Sequence, residues 1–314
     1  MRLYSAQETR AALPFDRLIA ALERLFIAGC EVPQRHTHTV TADDGSQGTV
    51  LIMPAWRTDR YLGIKTVNIF PGNAARGLPG LFSTYTLYDV RTGEPLAHMD
   101  GNEITARRTA AASALAASRL ARPDARRLLV VGAGRVAALL PHAYRQVLPI
   151  DAVQVWARKP SQAQTLVDAL KAAGVAASRA DDLTQAASQA DIVSCATLAT
   201  EPVMAGAWLR DGSHLDLIGS FTPAMREADD ACFAGASLFV DTTEALQKSG
   251  DLLGPLSRGV LSADRVCGTL QDLCRGTVPG RRSAQERTVF KSVGTALEDL
   301  AAAALVYESL DATR

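Results

Sequence analysis

Arg127-Leu-Leu-Val-Val-Gly-Ala-Gly-Arg-Val-Ala-Ala138 is the stretch whose residue types and spacing point most directly to chemistry. Leu128 to Val131 is an apolar run ending at glycine, as a central parallel strand requires when both of its faces are covered. It runs into Gly132-Ala133-Gly134-Arg135-Val136-Ala137, a G-x-G-x-x-A turn. Gly132 permits the tight turn, Gly134 lets backbone approach a pyrophosphate, and Ala137 is the small residue where helix packs closely on strand. The helix expected from about Val136 to Val147 aims its N–H groups and positive dipole end at phosphate. Gly and Ala are common, so the same residues could form a turn that binds nothing. The flanking strand and helix favour a dinucleotide contacting Gly132, Ala133, Gly134, Arg135 and Val136.

Cofactor choice is read at the end of the next strand. NAD-preferring sites place an acid there for the ribose 2′-OH. This chain has Val155-Trp-Ala-Arg-Lys-Pro160, with no acid and two cations. NADP(H) is therefore expected over NAD(H), with Arg158 and Lys159 on the 2′-phosphate; capping of the strand end is the alternative role for Arg158. Thr197 closes the fourth expected strand and Gly219 the fifth, where a nicotinamide would lie.

A second group of candidates lies earlier. Lys65 interrupts the apolar run Tyr61-Leu-Gly-Ile-Lys-Thr-Val67, Arg35 precedes a strand, and Arg107 and Arg108 interrupt an alanine-rich helix. Each could be a solvated or ion-paired surface cation. His36 and His38 would share a face if extended, but no further ligand lies near, so no metal is expected. His98 and His142 read as packing residues.

The elements that must position these groups follow from pattern. With 314 residues the chain can form two domains with large cores. Lys+Arg and Asp+Glu are both 33, which argues against nucleic-acid or membrane partners held by a bulk field. The start lacks an apolar signal core, and the five scattered cysteines lack C-x-x-C, so a reduced cytoplasmic interior is expected. Residues 1–30 read as a strand or turn and then a helix with Leu18, Leu22, Leu25 and Phe26 in a stripe. Gly48–Met53, Tyr61–Val67 and Thr84–Tyr88 read as strands of an antiparallel or mixed sheet, and Glu103–Leu120 as a helix capped by Asn102. Strict alternation of strands and helices over 124–282, including a helix at Glu227–Ala234, predicts a right-handed parallel sheet. Ser283–Leu310 reads as one long helix returning to the first domain. The expected fold is α/β: a Rossmann-type doubly wound domain at 124–282, and a discontinuous α+β substrate and dimerisation domain at 1–123 with 283–314.

Several ordered stretches carry a resemblance. They are Gly63-Ile-Lys65 with Pro71-Gly-Asn73, Gly77-Leu-Pro79, Tyr88–Pro95, Ile104-Thr-Ala-Arg-Arg-Thr-Ala-Ala111, Val131–Gly134, Gly212-Ser-His-Leu215 and Phe290-Lys-Ser-Val-Gly294. Together they make the chain resemble the ornithine cyclodeaminase/mu-crystallin family over essentially its whole length. The resemblance implies that Lys65 and Arg35 hold a substrate α-carboxylate, that Arg108 lies near cofactor and substrate, and that Ser292 and Val293 of the returning helix close the site. It also implies a homodimer through the first domain's sheet. One departure is chemical: ornithine cyclodeaminases carry an aspartate in the segment after Gly219, where this chain has Phe221, which cannot accept a proton. Gly80, where relatives often carry Thr or Ser, is a second. Asp216 is a conceivable substitute acid. The resulting expectation is an NADP-dependent reductase of small carboxylated cyclic imines such as Δ1-pyrroline-2-carboxylate, with hydride going to the α-carbon and Lys65 or a water handling the proton. The alternatives are an ornithine cyclodeaminase, an alanine dehydrogenase or opine-type enzyme, and a binding protein without turnover.

Overall fold

The computed structural model describes residues 1–311, which divide into two units: Met1–Arg108 with the segment from Thr295, and Thr109–Gly294. The first unit begins with β1 (Arg2–Tyr4), α1 (Ala6–Ala11) and α2 (Phe15–Ala28). Pro14 precedes α2, Gly29 ends it in a positive-φ turn, and Leu18, Leu22, Leu25 and Phe26 are all buried. Five strands follow: β2 (His36–Thr41), β3 (Gln47–Trp56), β4 (Tyr61–Ile69), β5 (Leu81–Asp89) and β6 (Pro95–Asp100). They form one sheet in the order β1-β6-β5-β4-β3-β2, with only β1 and β6 parallel. Alternation decides what each face holds. Gly63, Lys65 and Val67 of β4 and Ser83, Tyr85 and Leu87 of β5 are buried. The C-terminal helix α10 (Ala296–Asp311) packs on β3, β4, β5 and α2.

The second unit takes up the last part of α3 (Gly101–Leu120). Its strands are β7 (Arg127–Val131), β8 (Ala152–Trp156), β9 (Ala177–Arg179), β10 (Ile192–Cys195), β11 (His214–Leu217), β12 (Ser237–Val240), β13 (Val266–Thr269) and β14 (Thr288–Lys291). Between them come α4 (Arg135–Tyr144), α5 (Pro160–Ala172), α6 (Leu183–Gln189), α7 (Ala245–Lys248), α8 (Gly250–Ser257) and α9 (Leu270–Arg275). The sheet is wholly parallel, in the order β13-β12-β14-β11-β10-β7-β8-β9. This is the doubly wound α/β arrangement expected. Strand order reverses on either side of β7, so the glycine turn leaves the sheet at its switch point.

Several expectations are corrected. Ser283–Leu310 is not one helix: β14 comes first, then a loop through Gly294, then α10. Because β14 lies between β11 and β12, the unit boundary falls at Gly294 rather than 282. The earlier boundary falls at Arg108 rather than 123, since the end of α3 bonds within the second unit: Ser113 donates to Asp216, and the Leu120 carbonyl accepts from Thr288 and Arg281. Glu227–Ala234 is not a helix either. The Glu227 and Ala228 N–H groups donate to the Asp251 carboxylate at 2.8 and 3.0 Å, and Asp229 accepts from Cys232, leaving only a short 3-10 turn at Asp230–Cys232. The cap of α3 is Asp100, whose carboxylate accepts from Glu103 N–H at 2.8 Å; Asn102 lies within the helix. Among the described residues no helix is long and apolar enough to cross a membrane.

Candidate functional site

In the second unit, Gly132 follows β7 at φ +123°, and its N–H donates to the Trp156 carbonyl at 2.8 Å. A Cβ there would come within 2.5 Å of the Ala196 carbonyl oxygen, so this position requires glycine. Gly134 is different. It caps α4 in extended backbone without a side-chain hydrogen bond, and a Cβ would meet nothing within 4 Å. The open space above it and the uncapped first turn, carrying Arg135 and Val136, suit a pyrophosphate. Ala133 is half-buried and Arg135 exposed beside it. Gly134→Ala should therefore melt like the parent yet lose roughly 10- to 100-fold in dinucleotide affinity by fluorescence titration. Gly132→Ala should instead cost stability, about 1–3 kcal/mol from backbone strain. Parent-like dinucleotide binding by Gly134→Ala would count against this turn as the pyrophosphate cradle.

Beyond β8, Arg158 and Lys159 are exposed, and neither forms an ion pair among the described residues. Lys159 caps α5, with Pro160 as its first residue. Thr197 and Gly219 follow β10 and β11 and are joined by a residue the sequence reading missed. Glu227 accepts from Thr197 N–H at 2.7 Å, Thr197 Oγ1 at 2.8 Å and Gly219 N–H at 2.6 Å. Its place in Arg226-Glu-Ala-Asp-Asp230 suggested an exposed helix face, which concealed it. Ser292 and Val293, expected on the returning helix, lie instead in the loop after β14, because Ser292 N–H continues the ladder to the Leu217 carbonyl at 3.1 Å. Asp241 accepts from Val293 and Gly294 N–H at 2.8 and 2.6 Å and holds that loop.

Phe221 is 42 % exposed. Asp216, weighed as a substitute acid, is wholly buried and accepts from Ser113, Tyr144 and Ser194 at 3.2, 2.8 and 2.5 Å. Burial raises its pKa to about 6 against the pull of those hydroxyls. It is committed to the interior and cannot stand in for an acid at Phe221. A cavity of about 430 Å³ opens beside Arg127, Val153 and Lys171, at the amino ends of β7–β9, the edge of the sheet away from the glycine turn.

In the first unit Lys65 is 1 % exposed, on the core face of β4 opposite Tyr85. Its Nζ lies 2.6 Å from Asp299 Oδ2 and donates to Thr105 Oγ1 at 3.3 Å. Arg108 donates from Nε to Asp299 Oδ1 at 3.0 Å and from a terminal nitrogen to Glu298 Oε2 at 2.6 Å. The structure thus brings Lys65 and Arg108 together around Asp299. Arg35, half-buried before β2, adds positive charge felt at Lys65. Arg107 is separate: its Nε donates to the Leu13 carbonyl at 2.8 Å. Burial pulls Lys65 down to about 8, against the attraction of Asp299 and with repulsion from Arg108. Burial would raise Asp299, but Lys65 and Arg108 outweigh it and hold the carboxylate below its ordinary range. Glu298 and Asp299 also escaped the sequence reading. Their signal was two adjacent acids in an otherwise alanine- and leucine-rich helix, an address that calls for buried cations. His98 accepts or donates at 3.0 Å with Thr86, a packing role.

The family model for the ornithine cyclodeaminase/mu-crystallin family matches residues 3–314. The chain belongs to this family. A Δ1-pyrroline-2-carboxylate reductase of Paracoccus denitrificans (strain Pd 1222) is 48 % identical over 261 residues, 82 % of this chain and 83 % of that one. The ketimine reductase mu-crystallin of Mus musculus is 34 % identical over 298 residues, 94 % of this chain and 90 % of that one. The Thermococcus litoralis Δ1-pyrroline-2-carboxylate reductase in complex with NADH and L-proline superposes with a TM-score of 0.92 at 32 % identity, covering 100 % of this chain and 98 % of that one. This chain carries the glycine turn, a buried lysine at position 65 and phenylalanine at position 221.

Proposed function

We propose that the protein is an NAD(P)H-dependent reductase of small carboxylated cyclic imines of the Δ1-pyrroline-2-carboxylate class. The observation that carries the choice is Phe221 on the surface with Asp216 consumed inside the sheet. A cyclodeaminase needs a carboxylate there to take up an amino group and a proton; a reductase does not. The reaction joins imine, NAD(P)H and one proton to give the amino acid and NAD(P)⁺. When bound, the dinucleotide supplies the hydride that reaches the α-carbon. Lys65, Arg35 and Arg108 bind the substrate carboxylate through their positive charge and so orient the α-carbon. Ser292 and Val293 contribute backbone and small side chains to cofactor and substrate. With a pKa near 8, Lys65 can also hold the proton that the imine nitrogen must gain.

The exposed Arg158 and Lys159 support NADP(H) as the preferred cofactor. Replacing both with Ala should raise the KM for NADPH roughly 10- to 100-fold, the loss of charge-assisted bonds to one phosphate, and leave that for NADH nearly unchanged. Equal effects on both nucleotides would remove the preference for NADP(H).

The face of the first unit's sheet away from α10 carries half-buried Ile52, Pro54, Ile64 and Tyr88. It supports a homodimer, which light scattering would report as twice 33.3 kDa. The five cysteines, scattered and without a C-x-x-C pair, fit a reducing, cytoplasmic setting.

The deciding assay is direct. NADPH or NADH consumption with Δ1-pyrroline-2-carboxylate, and no ammonia from ornithine with NAD⁺, supports the reductase. Ammonia from ornithine supports the cyclodeaminase, and silence in both a binding protein.

A further inference from the structure

The loops that follow β10 and β11 are packed unusually tightly. A Cβ on Gly219 would lie 2.1 Å from the Thr197 carbonyl oxygen and 2.4 Å from Glu227 Oε1. On the other side, a Cβ on Gly132 would lie 2.5 Å from the Ala196 carbonyl oxygen and 3.5 Å from Thr197 Cγ2. The glycine turn, the Thr197 loop and the Gly219 loop therefore form one continuous row at the carboxyl edge of the sheet. A single carboxylate ties the last two of these: Glu227 receives Thr197 N–H and Oγ1 on one oxygen and Gly219 N–H on the other.

Glu227 is 0 % exposed and lies in neither helix nor strand, so its placement needs backing. Asp251 provides it, accepting from Glu227 and Ala228 N–H, while Asp251 N–H donates to Ser220 Oγ at 3.0 Å. Lys291 Nζ, also wholly buried, lies 3.5 Å from Asp251 Oδ2. That ammonium also attracts the Glu227 carboxylate. Burying those charges is costly unless they are paired and hydrogen-bonded, and the Glu227 oxygens are bonded by Thr197 and Gly219.

We infer that Glu227 is a positioning residue for the nicotinamide end of the dinucleotide, acting through the Thr197 and Gly219 loops and not through the adenosine end. This rests on the dinucleotide reading above. Gln in place of Glu227 keeps the shape but turns one acceptor into a donor facing an N–H, so one of the two loops is released.

The test is a pair of titrations, with NADP(H) and with its 2′-phosphorylated ADP-ribose fragment, which lacks nicotinamide. Glu227→Gln should weaken the dinucleotide about tenfold or more and leave the fragment within about twofold. Unchanged binding of both overturns the positioning role, and equal loss of both shows a merely structural one and overturns it too. If Glu227→Gln does not fold, Thr197→Val, which removes the hydroxyl that donates to Glu227 and accepts from Ala199 N–H, must show the same selective loss at a smaller size, about threefold; an equal or absent loss overturns the role. A parent that binds neither ligand overturns the dinucleotide reading and this role with it, whereas a parent that binds both while the variants lose neither overturns this role alone.

Discussion

Asp299→Ala lowers the stability of the protein by roughly 3–5 kcal/mol, the usual cost of removing one side of a buried ion pair. Asp299 is wholly buried and receives both Lys65, at 2.6 Å, and Arg108 Nε, at 3.0 Å. Without it, two cations remain at nearly full burial with Glu298 as the carboxylate bonded to Arg108. Their mutual repulsion and the desolvation of Lys65 then lose the carboxylate that offset them. Asp299→Asn, which keeps the shape, should show most of the loss, because charge rather than volume is removed. Urea unfolding of parent and variants reads the difference; a change under about 1 kcal/mol would show that the group is solvated and the pairing incidental. The pH dependence has a definite sign. Asp299 sits below its ordinary range, so its contribution is full above the unfolded value of about 3.9 and is lost as pH falls through the folded value. Lys65 is shifted down, so between about 8 and about 10.4 the unfolded chain binds more protons and this group's contribution to stability rises with pH.

Lys65→Met is the larger loss for catalysis. It keeps an unbranched chain of similar length but deletes the charge that, in the proposed function, binds the substrate carboxylate and can hold a proton. A loss of kcat/KM of at least ~10²-fold is expected, the scale of one misplaced substrate or one absent general acid. The parent's kcat/KM should fall above pH about 8 as Lys65 loses its proton, and the variant's profile should lack that limb. Dinucleotide affinity should be unaffected in both, since the glycine turn belongs to the other unit. Activity in Lys65→Met within about threefold of the parent would remove Lys65 from the mechanism.

Much of the architecture could be read before any coordinates. The run Leu128–Val131 into Gly132-Ala-Gly134 is recognisable because buried parallel strands and phosphate turns impose local composition. The mixed sheet of the first unit was likewise visible in Tyr61–Val67 and Thr84–Tyr88 as runs rich in aromatic, β-branched and other apolar residues between turn clusters. Lys65 was visible as an oddity, but its two possible addresses, solvent or core, differ only in which face of β4 is covered. That is decided by α10, whose residues lie more than 200 positions away in sequence.

What the chain determined by itself was therefore everything that depends on near neighbours: strand and helix periods, the glycine turn, the absence of an acid after Trp156, and Phe221 in place of one. Tertiary structure alone decided the rest. Thr288–Lys291 became a central strand because a place lay open between β11 and β12, not because four residues specify one. Glu227 gave up helical bonding because Asp251 offered its backbone a better acceptor. Arg108 and Asp299 meet across 191 residues. No local pattern records such a pairing, because the low-dielectric setting that makes it obligatory exists only once the sheet and helix have closed over it.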